Sequence, residues 1–440
     1  MSGTVLVLDS NRNKVIGEMG QSSQFSLLDV IIRKALRLYI KDQEVSVMLI
    51  IHGNIKTMEE RDYEDGFIRI LDGKIVAIGE MGDCPQDVLN GGGEEEILDA
   101  GGNLVMPGII EAHCHMGITE EKKGMEGDDC NENVNPITPY LRAIDAINPM
   151  DAAFNDALQA GITSAMIGPG SANVVGGQFA FVKTHGRCID HMVVKAPAAM
   201  KVAFGENPKV NYSGQGTSPS TRMAIAAMLR EELTKAMTYR KKKEKEPDME
   251  EDFQYECWLP VLRGEIPLKA HVHRADDILT AVRIAKEFGL RMTLDHCSEG
   301  HLILEELQEA GFPAIVGPDM ASRNKIEVQN MAFKTVGLLA GQGILTAVTT
   351  DHPVSKIQFL PICAGLAVKA GMPKEEGLRS ITINAARICG VDDRVGSLAV
   401  GKDGDVVIFD GSPMEVLTRA LCTIIEGKIV YYDEESRILC

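Results

Sequence analysis

The chain has 440 residues, 45% hydrophobic and 25% charged, the composition of a soluble globular protein with room for one large domain and a smaller attached one. Its 63 acidic against 45 basic residues give a formal net charge of −18, which argues against nucleic acid or an anionic membrane as a partner. The ten cysteines form no C-x-x-C pair and read as reduced cytosolic thiols, no run of 18 apolar residues offers a membrane span, and no basic segment leads into an apolar one at the N-terminus. The expectation is a cytoplasmic protein with a small-molecule substrate.

In chain order, residues 1–47 read as an N-terminal extension, with helix-like periodicity over 26–41; Met48 is a plausible alternative start. Removing this segment is expected to leave activity unchanged. From 48 to 106 the texture is short strands and turns: 48–52, 66–71 and 74–78, the last two joined at Asp72-Gly73. Residues 85–97 form an acidic, Gly-rich surface loop. The same β-rich texture returns over 396–434, at 405–409, 420–425 and 429–432, so the two chain ends are expected to pair into one small β-sandwich.

Between them, 107–395 alternates strand-like and helix-like segments. Strands are expected at 105–112, 161–167, 192–195, 200–204, 267–273, 291–296, 314–317 and 345–350, and helices at 152–160, 276–288, 300–310 and 374–388. Repeated βα units over this length predict an α/β fold, a (β/α)8 TIM barrel, with a doubly wound open sheet as the structural competitor. The long helical pattern 218–246, ending in a charge run, reads as a solvated insertion, with a lid as the alternative. The stretch Gly168–Gly177 lacks the Lys-Ser/Thr ending of a phosphate loop and is expected to shape the mouth of the barrel.

Histidines gather at strand ends. His113-Cys-His115 is an H-x-H pair, and alternate strand residues share a face, so both imidazoles converge on one point. Three further strand ends carry matching groups: His271 with His273, His296, and Asp351 followed by His352. In a barrel all surround one mouth, at the end where active sites lie. Metal-assisted hydrolysis needs several N/O ligands on a rigid frame and a carboxylate to move protons, and this set supplies both.

Pro107-Gly-Ile-Ile-Glu-Ala-His113-Cys-His115, with His271, His296 and Asp351 downstream in that order, resembles the signature of the amidohydrolase superfamily. The flanks Asp72-Gly-Lys-Ile-Val-Ala-Ile-Gly79 and Gly396–Asp410 agree, and the resemblance is closest to the imidazolonepropionase-related branch of metal-dependent hydrolases. It implies a distorted barrel flanked by the sandwich, one or two divalent ions (zinc first, with manganese, cobalt or iron also suited) and homo-oligomeric assembly. His113, His115 and Asp351 would hold the more buried ion, and His271 and His296 the second. A carboxylated lysine would bridge two ions; Lys201 is its candidate and Lys269 the competitor. Asp351 would be the general base and His273 a substrate- or oxyanion-binding group. His352 reads as structural, and His52, His185, His191 and His301 receive no role. The implied reaction is hydrolysis of an amide, cyclic amide or dipeptide C–N bond. Deamination of a ring amidine is one alternative, and a non-catalytic scaffold that has kept the fold is the other.

Overall fold

The computed structural model describes residues 47–85, 96–122 and 124–435. The expected extension and its helical segment lie outside these residues up to position 46, as does most of the acidic loop at 85–97. Five strands open the described chain: β1 (Val47–Ile55), β2 (Tyr63–Leu71), β3 (Lys74–Glu80), β4 (Glu96–Asp99) and β5 (Leu104–Pro107). Eight follow in the central segment: β6 (Ile109–Cys114), β7 (Ile162–Ile167), β8 (Val175–Lys183), β9 (Val193–Ala203), β10 (Leu268–Val272), β11 (Met292–His296), β12 (Ala314–Val316) and β13 (Thr346–Val348). The last three are β14 (Val406–Phe409), β15 (Ala420–Ile425) and β16 (Lys428–Tyr432).

The chain ends do pair. They form one eight-stranded sheet in the order β16-β15-β14-β5-β1-β2-β3, with β4 added to β1. Its core is Ile50, Ile68, Ile70, Val406, Ile408 and Ile424, contributed by both ends. A buried charge cluster ties this sheet to the barrel. Lys183 at the end of β8 places its Nζ 2.8 Å from Asp403 Oδ2 and 2.6 Å from Asp405 Oδ2, with all three side chains almost fully buried.

The central strands form the second sheet, β6 through β13 in chain order, a nearly closed barrel. Strands β6, β7, β10, β11, β12 and β13 are buried at every position, as strands covered on both faces are, and the polar residues of β6, β10 and β11 are among those buried. The expected βα repeat breaks at one place. Strand β8 is antiparallel to both β7 and β9, so two hairpin-like connections replace helical crossovers there. Its nine residues, Val-Gly-Gly-Gln-Phe-Ala-Phe-Val-Lys, are all buried and carry two glycines directly after the first. Neither alternation nor turn-free composition marks it, and the expected mouth loop Gly168–Gly177 therefore ends inside a strand. The short strands expected at 192–195 and 200–204 are parts of the single strand β9.

The seam between β6 and β13 is closed by a buried acid. Glu111 Oε2 accepts from Thr350 N at 2.9 Å and Thr350 Oγ1 at 2.6 Å, while Oε1 accepts from His113 N at 3.1 Å. Thr349 Oγ1 adds a 2.7 Å bond to the His113 carbonyl, and His115 N donates to the His352 carbonyl at 2.8 Å. Burial pushes the Glu111 carboxyl up to about 6 despite these donors. The helix Arg222–Lys245 is capped by Thr221, whose side chain accepts from Ala224 N. It packs on the outer helix Ala275–Phe288 through Arg230–Glu287 at 2.8 Å and Arg222–Asp277 at 3.1 Å, as a covering layer on the barrel wall.

Candidate metal centre

Every predicted site residue comes to the C-terminal mouth of the barrel. His115, His271, His273 and Asp351 line a cavity of about 380 Å³, with His113, His296 and Lys201 buried behind them. Residues 218–252 contribute nothing to its lining, so the lid alternative for that insertion has no support in the cavity's walls. The loop after β7 reaches it through Gly170 and Ser171, as expected of a mouth loop.

Strand alternation delivers some of these side chains and local backbone the others. Lys201 pairs with Lys269 across β9 and β10, and His271 pairs with Asp295 across β10 and β11. Partners in register share a face, so Asp295 points inward with His271, and its neighbour His296 would point outward if the strand continued. It does not continue. His296 has φ +72° and Cys297 φ +46°, a left-handed turn that returns the imidazole to the mouth. Asp351 is also left-handed, with φ +51°, and its N–H is held by Thr349 Oγ1 at 3.0 Å. Such backbone costs of order 1–3 kcal/mol per residue and persists where surrounding structure over-determines it, typically at functional sites.

The first cluster is built on Asp351. Its Oδ1 lies 3.2 Å from His115 Nε2 and 3.5 Å from His113 Nε2, and Oδ2 is 4.0 Å from His296 Nδ1. His113 Nδ1 faces Asp295 Oδ2 at 2.9 Å, which leaves Nε2 turned to the centre. His115 Nδ1 donates to the Gly168 carbonyl at 2.7 Å, again freeing Nε2. Lys201 Nζ is 3.5 Å from the same His113 Nε2. The second cluster is His271, His273 and His296: ring centroids are 4.5 Å apart for His271–His296 and 4.7 Å for His273–His296, which stack. His273 Nδ1 meets Ser298 Oγ at 2.8 Å.

These residues fit a divalent ion. His113, His296 and Asp351 offer ligand atoms within 4.8 Å of one another, and so do His271, His273 and His296. Asp351 Oδ1 is buried without a hydrogen-bond donor. Burial holds His271 and His296 well below the ordinary imidazole range, so both are neutral. Burial would raise Asp351, but His296, His113 and His115 outweigh it and hold the carboxyl well below its usual range. Neutral imidazoles at His271 and His296 and an ionised Asp351 are the protonation states that metal ligation requires, whereas at His115 burial is outweighed by Cys130 and Asp351, which push the imidazole up to about 10. Burial also pushes the Lys201 ammonium down to about 8. Lys269, its competitor, is committed elsewhere: its Nζ donates to the Ala112 carbonyl at 3.1 Å and to Asp295 at 3.3 Å.

His352 is fully buried and accepts from Ile357 N through Nδ1 at 3.2 Å, away from the cavity, in line with a structural part. Sequence reasoning missed Asp295, Glu111 and Glu327. Asp295 was within reach, because alternation from an inward His271 register predicts an inward residue there. Glu327, buried and 3.9 Å from both His271 Nε2 and His273 Nε2, follows β12 in a stretch with no regular period to flag it.

A family model described as the amidohydrolase family matches residues 104–430. The chain belongs to that family. Membership places this amidohydrolase among metal-dependent hydrolases that act on carbon–nitrogen bonds. The crystal structure of an amidohydrolase from Thermotoga maritima superposes with a TM-score of 0.83 at 37% identity, covering 88% of this chain and all of that one. Amidohydrolase tasK of Hapsidospora irregularis is 28% identical over 84% of this chain, which spans only 39% of that longer relative. Imidazolonepropionase of Alkaliphilus metalliredigens is 24% identical over 79% of this chain and 84% of its own length. Among the described residues no helix is long and apolar enough to cross a membrane.

Proposed function

We propose that this amidohydrolase cleaves the C–N bond of an amide, cyclic amide or dipeptide, with Asp351 as general base. His113, His115 and Asp351 would hold one divalent ion and His271 and His296 a second, with Lys201 as a carbamate ligand to the pair; such ions, for which zinc suits the donor set, would supply carbonyl polarisation and an acidified water. The chain's own residues do the rest. Asp351 is ionised and reaches the cavity, so it can take a proton from the attacking water and return it to the leaving nitrogen. His273 lines the same cavity with Nε2 free of its Ser298 contact, placed to hold the substrate carbonyl or the oxyanion that develops from it.

The observation that carries the reading is the position of Lys201. It is fully buried, 3.5 Å from His113 Nε2, with its ammonium pushed down to about 8, so a neutral amine able to form a carbamate is accessible near neutral pH. The test is metal per chain in wild type and Lys201→Ala under metal-replete conditions. Two ions in the wild type and one or none in the variant support the bridged pair. One ion, unmoved by the variant, retires Lys201 and brings ring deamination forward. No metal in either overturns the hydrolytic reading.

A further inference from the structure

One Lys or Arg side chain lines the cavity among the described residues, and that is Lys325. Its ammonium is fixed on two sides. Nζ donates to Asn207 Oδ1 at 2.7 Å and lies 2.6 Å from Glu327 Oε1. Both partners are themselves anchored at the histidines. Asn207 Nδ2 donates to Ser171 Oγ at 2.8 Å and sits 3.3 Å from His271 Nε2. Glu327 Oε2 accepts from Glu206 N at 2.9 Å, and Oε1 is 3.9 Å from His271 Nε2 and His273 Nε2. The cation is therefore one side chain removed from the histidine cluster. Glu327 is 2% exposed while Lys325 keeps 27%, so the buried acid supports the lysine from behind and the lysine faces the cavity. An ammonium has three donors; one goes to Asn207, the contact with Glu327 is an ion pair, and donor capacity remains for a ligand.

The surroundings narrow what that donor takes. Val328, Met331, Pro353 and Val354 supply an apolar wall, Asn131, Ser171 and Asn324 supply neutral polar groups, and Asp128 and Asp351 are the acids on the lining. We propose that Lys325 binds a carboxylate of the substrate, which makes the substrate an amide whose amine half is an α-amino acid with an apolar side chain. This rests on the hydrolytic reading above and specifies it. In such an amide the carboxylate carbon is two bonds from the scissile nitrogen, so its anchor must stand beside the metal-bearing histidines, where Lys325 is. A cyclic amide without a carboxylate has no use for this cation.

The test compares N-acetyl derivatives of leucine, phenylalanine, methionine and proline, each as free acid and as primary amide, by kcat/KM in wild type, Lys325→Met and Lys325→Arg. Metal per chain is checked in each, because Lys325 touches Glu327 rather than the proposed ligands. A charge-assisted hydrogen bond sets the expected preference for free acids at roughly 10- to 100-fold. That ratio collapses toward one in Lys325→Met, chiefly through KM, and is largely restored in Lys325→Arg. Equal turnover of acids and amides by the wild type, or an unchanged ratio in Lys325→Met, overturns the proposal while leaving hydrolysis standing. Calorimetric titration of the same acids into Asp351→Asn protein separates the two readings. Binding that depends on Lys325 without wild-type hydrolysis keeps the anchor and sinks the reaction. Neither binding nor hydrolysis overturns both.

Discussion

Asp295→Asn removes one charge and exchanges one acceptor oxygen for an amide NH2, which makes it the sharpest probe of how the candidate metal centre is held. Asp295 Oδ2 faces His113 Nδ1 at 2.9 Å, and Oδ1 accepts from Thr293 Oγ1 at 2.9 Å and from Lys269 at 3.3 Å. All of this is buried. Burial would raise the Asp295 carboxyl, but Lys269 and His113 outweigh it and hold it far below the usual carboxylate range. Breaking a buried ion pair from one side costs about 3–5 kcal/mol. The amide oxygen of Asn and the Ala112 carbonyl still accept from Lys269, so the lower end, about 3 kcal/mol, is expected. A folded pKa below the unfolded value of about 3.9 means this stability is fully present at pH 7 and fades as pH falls below it. The wild-type–variant gap should therefore be largest at neutral pH and narrow in acid. His113 also loses the group that orients it, for which metal affinity falls about 10- to 100-fold. Urea unfolding in chelator, followed through the single tryptophan, Trp258, reads the first effect, and chelator competition reads the second. A stability change under about 1 kcal/mol together with unaltered metal affinity would refute the positioning argument.

Three further outcomes are expected. Asp351→Asn keeps the fold and lowers turnover by a factor of about 10² or more, and near-full turnover of the variant removes Asp351 as the base. Lys183→Met leaves Asp405 buried without its ammonium at 2.6 Å, and costs about 3 kcal/mol in equilibrium unfolding; a neutral result shows that the cluster does not tie the end sheet to the barrel. Glu111 titrates at about 6 in the fold, above its unfolded range, so it favours folding in acid and loses about 2 kcal/mol as pH rises from 4 to 7. In Glu111→Gln that loss is absent, so the variant gains on wild type by this amount across the interval; parallel pH profiles contradict it.

The barrel and the convergence of these histidines with Asp351 at its mouth were legible because both depend on local pattern. Apolar runs ending in histidine mark parallel strands whose C-terminal ends share one mouth, and H-x-H needs nothing beyond strand alternation. Strand position alone favours Lys201 over Lys269; the two stand opposite each other in register, and the contacts of Lys269 with Asp295 and Ala112 are what the pattern could not show. The 374–388 segment reads as one helix, but it is two, Lys374–Ser380 and Ile383–Cys389. A non-helical Thr382 separates them, and Ile381 at the break supplies the carbonyl that Ile110 N uses on the barrel seam. That break answers to a tertiary hydrogen bond and leaves no mark in periodicity.

The reversed strand β8 is the feature that pattern could not show, and it accounts for the chemistry of Lys201. Phe179, on β8, lies beneath three site residues at once: its ring centroid is 5.6 Å from Lys201 Nζ, 5.3 Å from Lys269 Nζ and 5.4 Å from the His113 ring. Gly177, paired with Lys201 in the antiparallel register, and Gly176, where a Cβ would stand 3.2 Å from Lys201 Cγ, let the strand approach that closely. An aromatic floor removes water from both ammonium groups while its face still attracts them. Lys269 keeps a carboxylate at 3.3 Å to offset that desolvation, whereas Lys201 meets an imidazole nitrogen at 3.5 Å instead. The same apolar floor thus lies against two lysines, and at Lys201 burial outweighs the pull of Asp295 and Asp351 and pushes the ammonium down to about 8. Glycines at 176 and 177 and an aromatic at 179 are therefore requirements of the centre as well as of the strand, and a bulkier residue at 176 should disturb Lys201 before it disturbs the barrel.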